Sequence, residues 1–226
     1  MHAGYDLIYK ISVWLLPALF AITLHEAAHG YAALRFGDDT ALRAGRLSLN
    51  PLRHVDPVGT ILLPGLLLLS GSPFLFGYAK PVPVNFWRLR NPKRDMIWVA
   101  AAGPLTNLVM ATAAAFLVHG VIMLPEEFAI WGIANLNNAI VLNIILAVFN
   151  MIPLPPLDGG RVAVGLLPEP LSSGLGRLEP YGMLILMFFM LVLPSITSFR
   201  INPLAEIIGP PAEFLYQLIL TVTGNR

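Results

Sequence analysis

The motif His25-Glu26-Ala27-Ala28-His29 lies inside an apolar run that extends from about Ile11 to Leu34. On a helix, residues four apart share one face, so this spacing directs two imidazoles to one place with a carboxylate beside them. An apolar run of this length can cross a bilayer, where ionisable side chains are costly and indicate function. The motif therefore predicts a metal site within the membrane, with two histidine ligands and a glutamate as general base.

The composition indicates a membrane protein. Hydrophobic residues make up 56% of the chain and charged residues 12%, whereas a soluble domain carries about 25% charged residues. We expect an all-α polytopic protein with about five to six transmembrane segments in a single domain, residues 1–226, with its core at 5–162 and C-terminal helices at about 181–222. Membrane lipids are expected to contact the basic cluster Arg88 to Arg94. No nucleic-acid partner is expected, because basic residues are not interleaved with exposed aromatic residues.

The short apolar stretch at residues 58–70 decides the predicted topology. If it spans the membrane, the Lys and Arg residues divide 9 to 5 between the two sides; if it belongs to a re-entrant hairpin near residues 58–85, they divide 12 to 2. The positive-inside rule favours the more polarised count and places the twelve basic residues in the cytosol. The following stretch, Tyr78 to Asn85, contains two prolines and is predicted to be extended.

A catalytic zinc usually takes three protein ligands, and a chain without cysteine must take the third from His, Asp or Glu. Asp158 is the preferred candidate, because it follows a long apolar helix and a group of prolines and precedes two glycines. Asp-Gly-Gly after prolines is also an ordinary turn, and His54 and His119 are alternatives by residue type. The re-entrant topology supports Asp158, since the helices that lead to it and to the histidines then run in the same direction.

Three motifs resemble those of the site-2 proteases, a family of intramembrane zinc metalloproteases. They are His25-Glu26-x-x-His29, Gly103-Pro104-x-x-Asn107 and Asn150-x-x-Pro153-x-Pro155-x-Leu157-Asp158-Gly159. The stretches Asn50 to Gly59 and Ala79 to Asn85 resemble the compact branch of that family, which lacks a PDZ domain. The resemblance covers residues from about 20 to 162.

The resemblance implies a role for each matching residue. It implies one catalytic Zn²⁺ held by His25, His29 and Asp158, with Glu26 as the base and Asn150 holding the substrate carbonyl. Further residues are expected at the substrate or at the entrance to the site: Asn107, His54, Lys80, Val82, Val84 and Asn85.

The family's activity is cleavage of transmembrane or membrane-proximal segments of other proteins. The resemblance thus implies a multi-pass zinc endopeptidase of a prokaryotic cell membrane, with its site open toward the cytosol, in which Glu26 assists attack of zinc-bound water. Its expected partners are a transmembrane substrate protein and a separate regulatory or adaptor protein. The segment Lys80 to Asn85 is predicted to pair with an unwound substrate strand.

A second function from another class is a catalytically silent membrane binding protein or transporter that keeps the same fold. The presence of Glu26 argues against this alternative, because loss of the base is the simplest route to a silent enzyme. No pair of repeated halves, which is typical of many transporters, is visible in the sequence.

Overall fold

The computed structural model describes residues 2–62, 66, 80–197 and 200–226, and these residues form helices and irregular segments without a strand. The long helices are α1 (His2–Arg35), α3 (Pro92–Val121), α4 (Glu126–Asn150), α7 (Glu179–Ile196) and α8 (Pro203–Thr223). The short helices are α2 (Thr40–Arg43), α5 (Asp158–Leu166) and α6 (Leu171–Gly176). The all-α class predicted from the sequence is confirmed.

Four of the described helices are long and apolar enough to cross a membrane: α1 from Ile8 onward, α3, α4 and α7. The C-terminal α8 has 21 residues but is not among these four. The helix continues through Pro210 and Pro211. The carbonyls that the prolines leave without an N–H partner belong to Glu206 and Ile207, which are exposed residues.

Helices α1 and α4 run in the same direction, and α3 runs against both. Asn138 of α4 donates to the carbonyl of Val13 at 2.8 Å near the start of α1, whereas the C-terminal ends of α1 and α4 lead to His29 and Asp158. In the core between α3 and α4, Ala111 and Ala115 pack against Ile140 and Ile144. Alanines on one helix allow close approach of the next, as is typical of helices packed in a membrane.

An irregular segment crosses the C-terminal part of α1 and is fixed at its far end by Asp38. We call residues 80–85 the proline segment. Asp38 is fully buried, and its Oδ2 accepts a hydrogen bond from Asn85 N–H at 2.6 Å while its Oδ1 accepts from Thr40 N–H at 3.0 Å. Burial by itself raises the pKa of Asp38, but the hydrogen bonds from Thr40 and Asn85 lower it below its usual value. The carboxylate is therefore charged at neutral pH and secures the segment to the turn that follows α1.

The predicted re-entrant hairpin near residues 58–85 lies largely outside the described residues. Pro57–Leu62 forms a π-helical turn, and residues 80–85 are irregular, in agreement with the predicted absence of helix there. Helix α3 begins at Pro92. Asn91 precedes that proline and donates its N–H to Asp95 Oδ2 at 2.8 Å, which closes the first turn.

Candidate metal centre

Three side chains from two distant parts of the chain converge at one point. His25 and His29 lie on one face of α1, and Asp158 is the first residue of α5. Asp158 Oδ2 is 3.2 Å from His25 Nε2 and 3.3 Å from His29 Nε2, and the two nitrogens are 3.1 Å apart. Among the described residues, these three form the group of His, Asp and Glu side chains that could hold a metal ion.

Hydrogen bonds behind the two histidines fix their tautomers. His29 Nδ1 donates to the carbonyl of Val99 at 2.7 Å, and His25 Nδ1 donates to Asn107 Oδ1 at 2.5 Å. The orientation of the Asn107 amide is itself fixed, because its Nδ2 donates to Asn143 Oδ1 at 2.7 Å. Each imidazole therefore carries its hydrogen on Nδ1 and directs the Nε2 lone pair toward the shared point.

The three facing atoms are electron-pair donors at separations that suit zinc. Ligands about 2.0–2.1 Å from zinc at tetrahedral corners lie about 3.3–3.4 Å from one another, close to the separations of 3.1–3.3 Å found here. Asp158 Oδ2 is buried without a hydrogen-bond partner among the described residues, which is costly unless a cation pairs with it. The residues thus fit Zn²⁺, with one corner left for water or substrate.

Glu26 lies on the same turn of α1 as the histidines, and its carboxylate is not one of the converging ligands. Its Oε2 accepts a hydrogen bond from the backbone N–H of Val82 at 2.8 Å. In the described part of the chain, its other oxygen makes no hydrogen bond. Glu26 therefore stands beside the metal position, where the motif predicts the base, with one oxygen bound to the proline segment.

A cavity of about 570 Å³ opens over these residues. Asn150 lines it and donates through Nδ2 to the carbonyl of Leu146 at 3.0 Å, so a second amide hydrogen is available to an oxygen in the cavity. Arg161 stands at its edge, 4.7 Å from the ring centre of Phe86 and 3.1 Å from Glu179. Other lining residues are Pro81, Val82, Val84, Val99 and Met183.

Asn107, His54, Lys80 and Asn85, the remaining predicted site residues, are not among the residues that line this cavity. Asn107 is fully buried and binds Nδ1 of His25, the ring nitrogen that faces away from the metal position. It therefore orients His25 and does not lie at the entrance to the site. His54 is buried, contacts the carbonyl of Ser48 at 2.8 Å and accepts the N–H of Lys80 on its own carbonyl at 2.9 Å. Asn85 caps the following turn through a hydrogen bond from Trp87 N–H at 3.1 Å.

His119, the other alternative ligand, is distant from this centre. Its Nε2 contacts the carbonyl of Thr223 at 2.7 Å and joins the C-terminal end of α3 to the end of α8. The choice of Asp158 over His54 and His119 as the third member of the cluster therefore agrees with the geometry.

Glycines allow the backbone to approach the centre from two sides. A Cβ atom on Gly103 would lie 2.5 Å from His29 Nε2 and 2.7 Å from His25 Nε2, so α3 can pass the imidazoles only without a side chain there. A Cβ atom on Gly159 would lie 2.2 Å from the carbonyl oxygen of Met151, which shows how tightly the turn before Asp158 is folded. The glycine of the Gly-Pro-x-x-Asn motif thus leaves room for the ligands.

Sequence reasoning assigned no site role to Asp38, Gly103, Asn143 or Arg161. Asn143 carries a detectable signal, because it lies seven residues before Asn150 on α4 and seven residues are close to two helical turns. Asp38 contacts Asn85 and Arg161 contacts Phe86, and both partners are distant along the chain. No local spacing in the sequence predicts these contacts.

Comparisons with known proteins find similarity to metalloproteases. The profile of peptidase family M50 matches residues 118–193, which include Asn150 and Asp158 but not the histidine motif. The protein named "Putative zinc metalloprotease YwhC" of Bacillus subtilis is 37% identical over 202 residues, 84% of each chain. The protein named "Putative zinc metalloprotease Rip2" of Mycolicibacterium smegmatis is 31% identical over 82% of this chain and 67% of its own length. The protein of the same name from Mycobacterium tuberculosis is 34% identical over 66% of this chain and 53% of its own length. No solved structure matches the chain.

We predict that Gly103→Ala lowers zinc affinity by about tenfold or more, since the new Cβ displaces both imidazole nitrogens from the metal position. Gly120→Ala is the matched control on the same helix, because a Cβ there meets open space. Zinc content of the two purified variants, measured at equal helicity by circular dichroism, checks the prediction. Equal zinc in both variants would contradict the proposed position of the metal.

Proposed function

The chain belongs to peptidase family M50, the site-2 protease family, and from that premise we propose that it cleaves peptide bonds in or near transmembrane segments of other membrane proteins. It is a multi-pass membrane protein and a zinc metalloprotease. The position of the scissile bond relative to the bilayer, the role of each residue and the side on which the site opens are parts of the proposal.

The observation that carries the proposal is the convergence of three electron-pair donors beside Glu26, on a helix that is apolar enough to span the membrane. His25 and His29 belong to the candidate span Ile8–Arg35, and their cavity extends to Asn150 at the end of another span. Such a group has no structural purpose in an apolar helix without a cation to bind. A site at this position meets substrates that are themselves in the membrane.

The residues divide the chemistry of peptide hydrolysis among them. His25, His29 and Asp158 hold the zinc, and the chemistry that a bound zinc ion supplies is Lewis acidity toward water and a peptide carbonyl. Glu26 takes a proton from the attacking water as its oxygen bonds to the carbonyl carbon, and returns a proton to the nitrogen as the C–N bond breaks. Asn150 donates its remaining amide hydrogen to the carbonyl oxygen, where negative charge develops.

The proline segment is proposed to bind the substrate backbone. In an extended chain, residues two apart direct their N–H and C=O groups to the same edge, so Val82 and Val84 share one edge and Pro81 and Pro83 the other. The prolines offer no N–H, and the N–H of Val82 is already bonded to Glu26. Val84 N–H makes no hydrogen bond with the described residues, so it is the donor available to a substrate strand.

The site is proposed to open toward the cytosol. Ion pairs and hydrogen bonds show that several basic segments lie at the same end of the helices: Arg88 pairs with Asp39 at 2.9 Å, and Lys93 donates to the carbonyl of Leu167 at 2.8 Å. This end also holds Arg161 beside the cavity. Basic residues concentrate on the cytosolic side of membrane proteins.

We expect purified protein to cleave a reporter transmembrane segment, and Glu26→Gln to lower kcat by about 10²- to 10⁴-fold while zinc content stays the same. The amide keeps the size of the side chain but cannot accept a proton. Cleavage assays and zinc analysis on both proteins provide the test. Zinc in both proteins without cleavage of any reporter would favour the silent membrane binding protein instead, and well-folded wild type without zinc would overturn the proposal.

Val84→Pro should raise KM for the same reporter about two- to tenfold, the range expected for loss of one hydrogen bond, with kcat retained. Val84→Ala is the matched control, because it shortens the side chain but keeps the N–H. If both variants raise KM equally, the effect comes from packing of the side chain, and strand pairing at Val84 is refuted.

Single cysteines introduced into this cysteine-free chain test the orientation. A membrane-impermeant maleimide should label Glu127→Cys in intact cells and Arg43→Cys only after permeabilisation, since the two exposed positions lie at opposite ends of the helices. The reverse labelling pattern would place the site on the outer side.

A further inference from the structure

One hydrogen bond joins Glu26, the proposed base, to the proline segment: Val82 N–H donates to Glu26 Oε2 at 2.8 Å. Pro81 and Pro83 have no N–H, so Val82 supplies the one donor between Lys80 and Val84. The geometry points to the backbone N–H of Val82 as the group that positions Glu26 for proton transfer. This inference rests on the proposed proteolytic function and assigns a positioning residue to it.

The donor is fixed because the segment is secured on both sides of it. Lys80 N–H donates to the carbonyl of His54 at 2.9 Å, and Arg46 Nη2 donates to the carbonyl of Lys80 at 2.7 Å. At the other end, Asn85 N–H donates to the buried carboxylate of Asp38 at 2.6 Å. The N–H of Val82 is thus held two residues from one anchor and three from the other.

The side chain of Val82 adds a third anchor, directly on the helix of the metal ligands. It is 7% exposed, and a Cβ atom on Gly30 would lie 2.9 Å from Val82 Cγ1. Gly30 follows His29, so Val82 packs on bare backbone one residue beyond a ligand. The helix that carries the ligands and the segment that carries the donor therefore keep a fixed relation.

A carboxylate needs such a partner because rotation about its last torsion is only weakly restricted. With Oε2 of Glu26 held by Val82, the same oxygen always faces the segment and Oε1 faces away from it. Misplacement of a catalytic group by about 1 Å can cost about 100-fold in rate. Val82 should therefore influence the chemical step through its N–H, and substrate binding should depend on Val84 instead.

Steady-state cleavage of the reporter by three variants separates these roles. We expect Val82→Pro, which removes the N–H, to lower kcat about tenfold or more with KM within about twofold of wild type. Val82→Ala keeps the N–H and loses only the packing against Gly30, so its kcat should lie several-fold above that of Val82→Pro. Val84→Pro should show the opposite pattern, a raised KM with kcat retained. Equal kcat in the proline and alanine variants at Val82, or a change confined to KM, would overturn the inference.

A second measurement decides the contact without any cleavage and covers the case in which Val82→Pro does not fold. In zinc-loaded protein labelled with [¹⁵N]valine, the Val82 amide signal is identified by its loss in Val82→Ala. Glu26→Ala should move this signal upfield and speed its hydrogen exchange, with little effect on Val84. An unmoved Val82 signal refutes the contact and with it the inference.

The two readouts distinguish failure of the inference from failure of the proposed function. If the wild type binds zinc but cleaves no reporter, the proteolytic function is refuted, and the positioning role of Val82 is refuted with it. The amide signal still reports whether Val82 N–H contacts Glu26. Wild type that cleaves, with Val82→Pro as active as Val82→Ala, leaves the protease standing and removes only the role of Val82.

Discussion

The site depends on three electron-pair donors that repel one another unless a cation lies between them. Two imidazole lone pairs and one carboxylate oxygen face one another at 3.1–3.3 Å, in surroundings from which water is largely excluded. Such groups stay together only when other contacts fix them, and each contact has a visible source. Asn107 and the carbonyl of Val99 orient the rings, and Gly103 leaves room for them. Val99, Gly103 and Asn107 of helix α3 thus orient the two histidines of α1 or leave room for them.

The proline segment solves a related problem, that of irregular backbone at membrane depth. Backbone donors and acceptors in such a segment need partners inside the protein. Prolines at 81 and 83 remove two donors, Glu26 occupies a third, and the anchors at Lys80 and Asn85 take the end groups. What is left along this edge is the N–H of Val84 and carbonyl oxygens, a set that an extended peptide could pair with. Because few N–H groups of the segment lack a partner, the segment can lie near lipid. The one N–H that remains, that of Val84, is suited to bind a single extended strand.

The sequence could predict those parts of the site that depend on local periodicity or on elimination. The spacing of His25 and His29 is a property of any helix. Asp158 was preferred to His54 and His119 because it follows an apolar helix that runs in the same direction as α1. Asn107 and His25 are separated by 82 positions in the chain, and Val82 and Glu26 by 56 positions. No local pattern encodes these two contacts. The bounds of helices were less predictable than their presence, as in α8, which continues through Pro210 and Pro211.

Binding of the metal as proposed would also join α1 to α5, two helices that make few direct contacts with each other. The ligands come from α1 and α5, their supports come from α3 and α4, and the turn before α5 packs against Gly182 of α7. Free energy of metal binding is then also free energy of packing, because a ligand set that spans several elements exists only when those elements are together. Zinc held by His25, His29 and Asp158, as proposed, would hold α5 against α1 and would help to form the cavity above it.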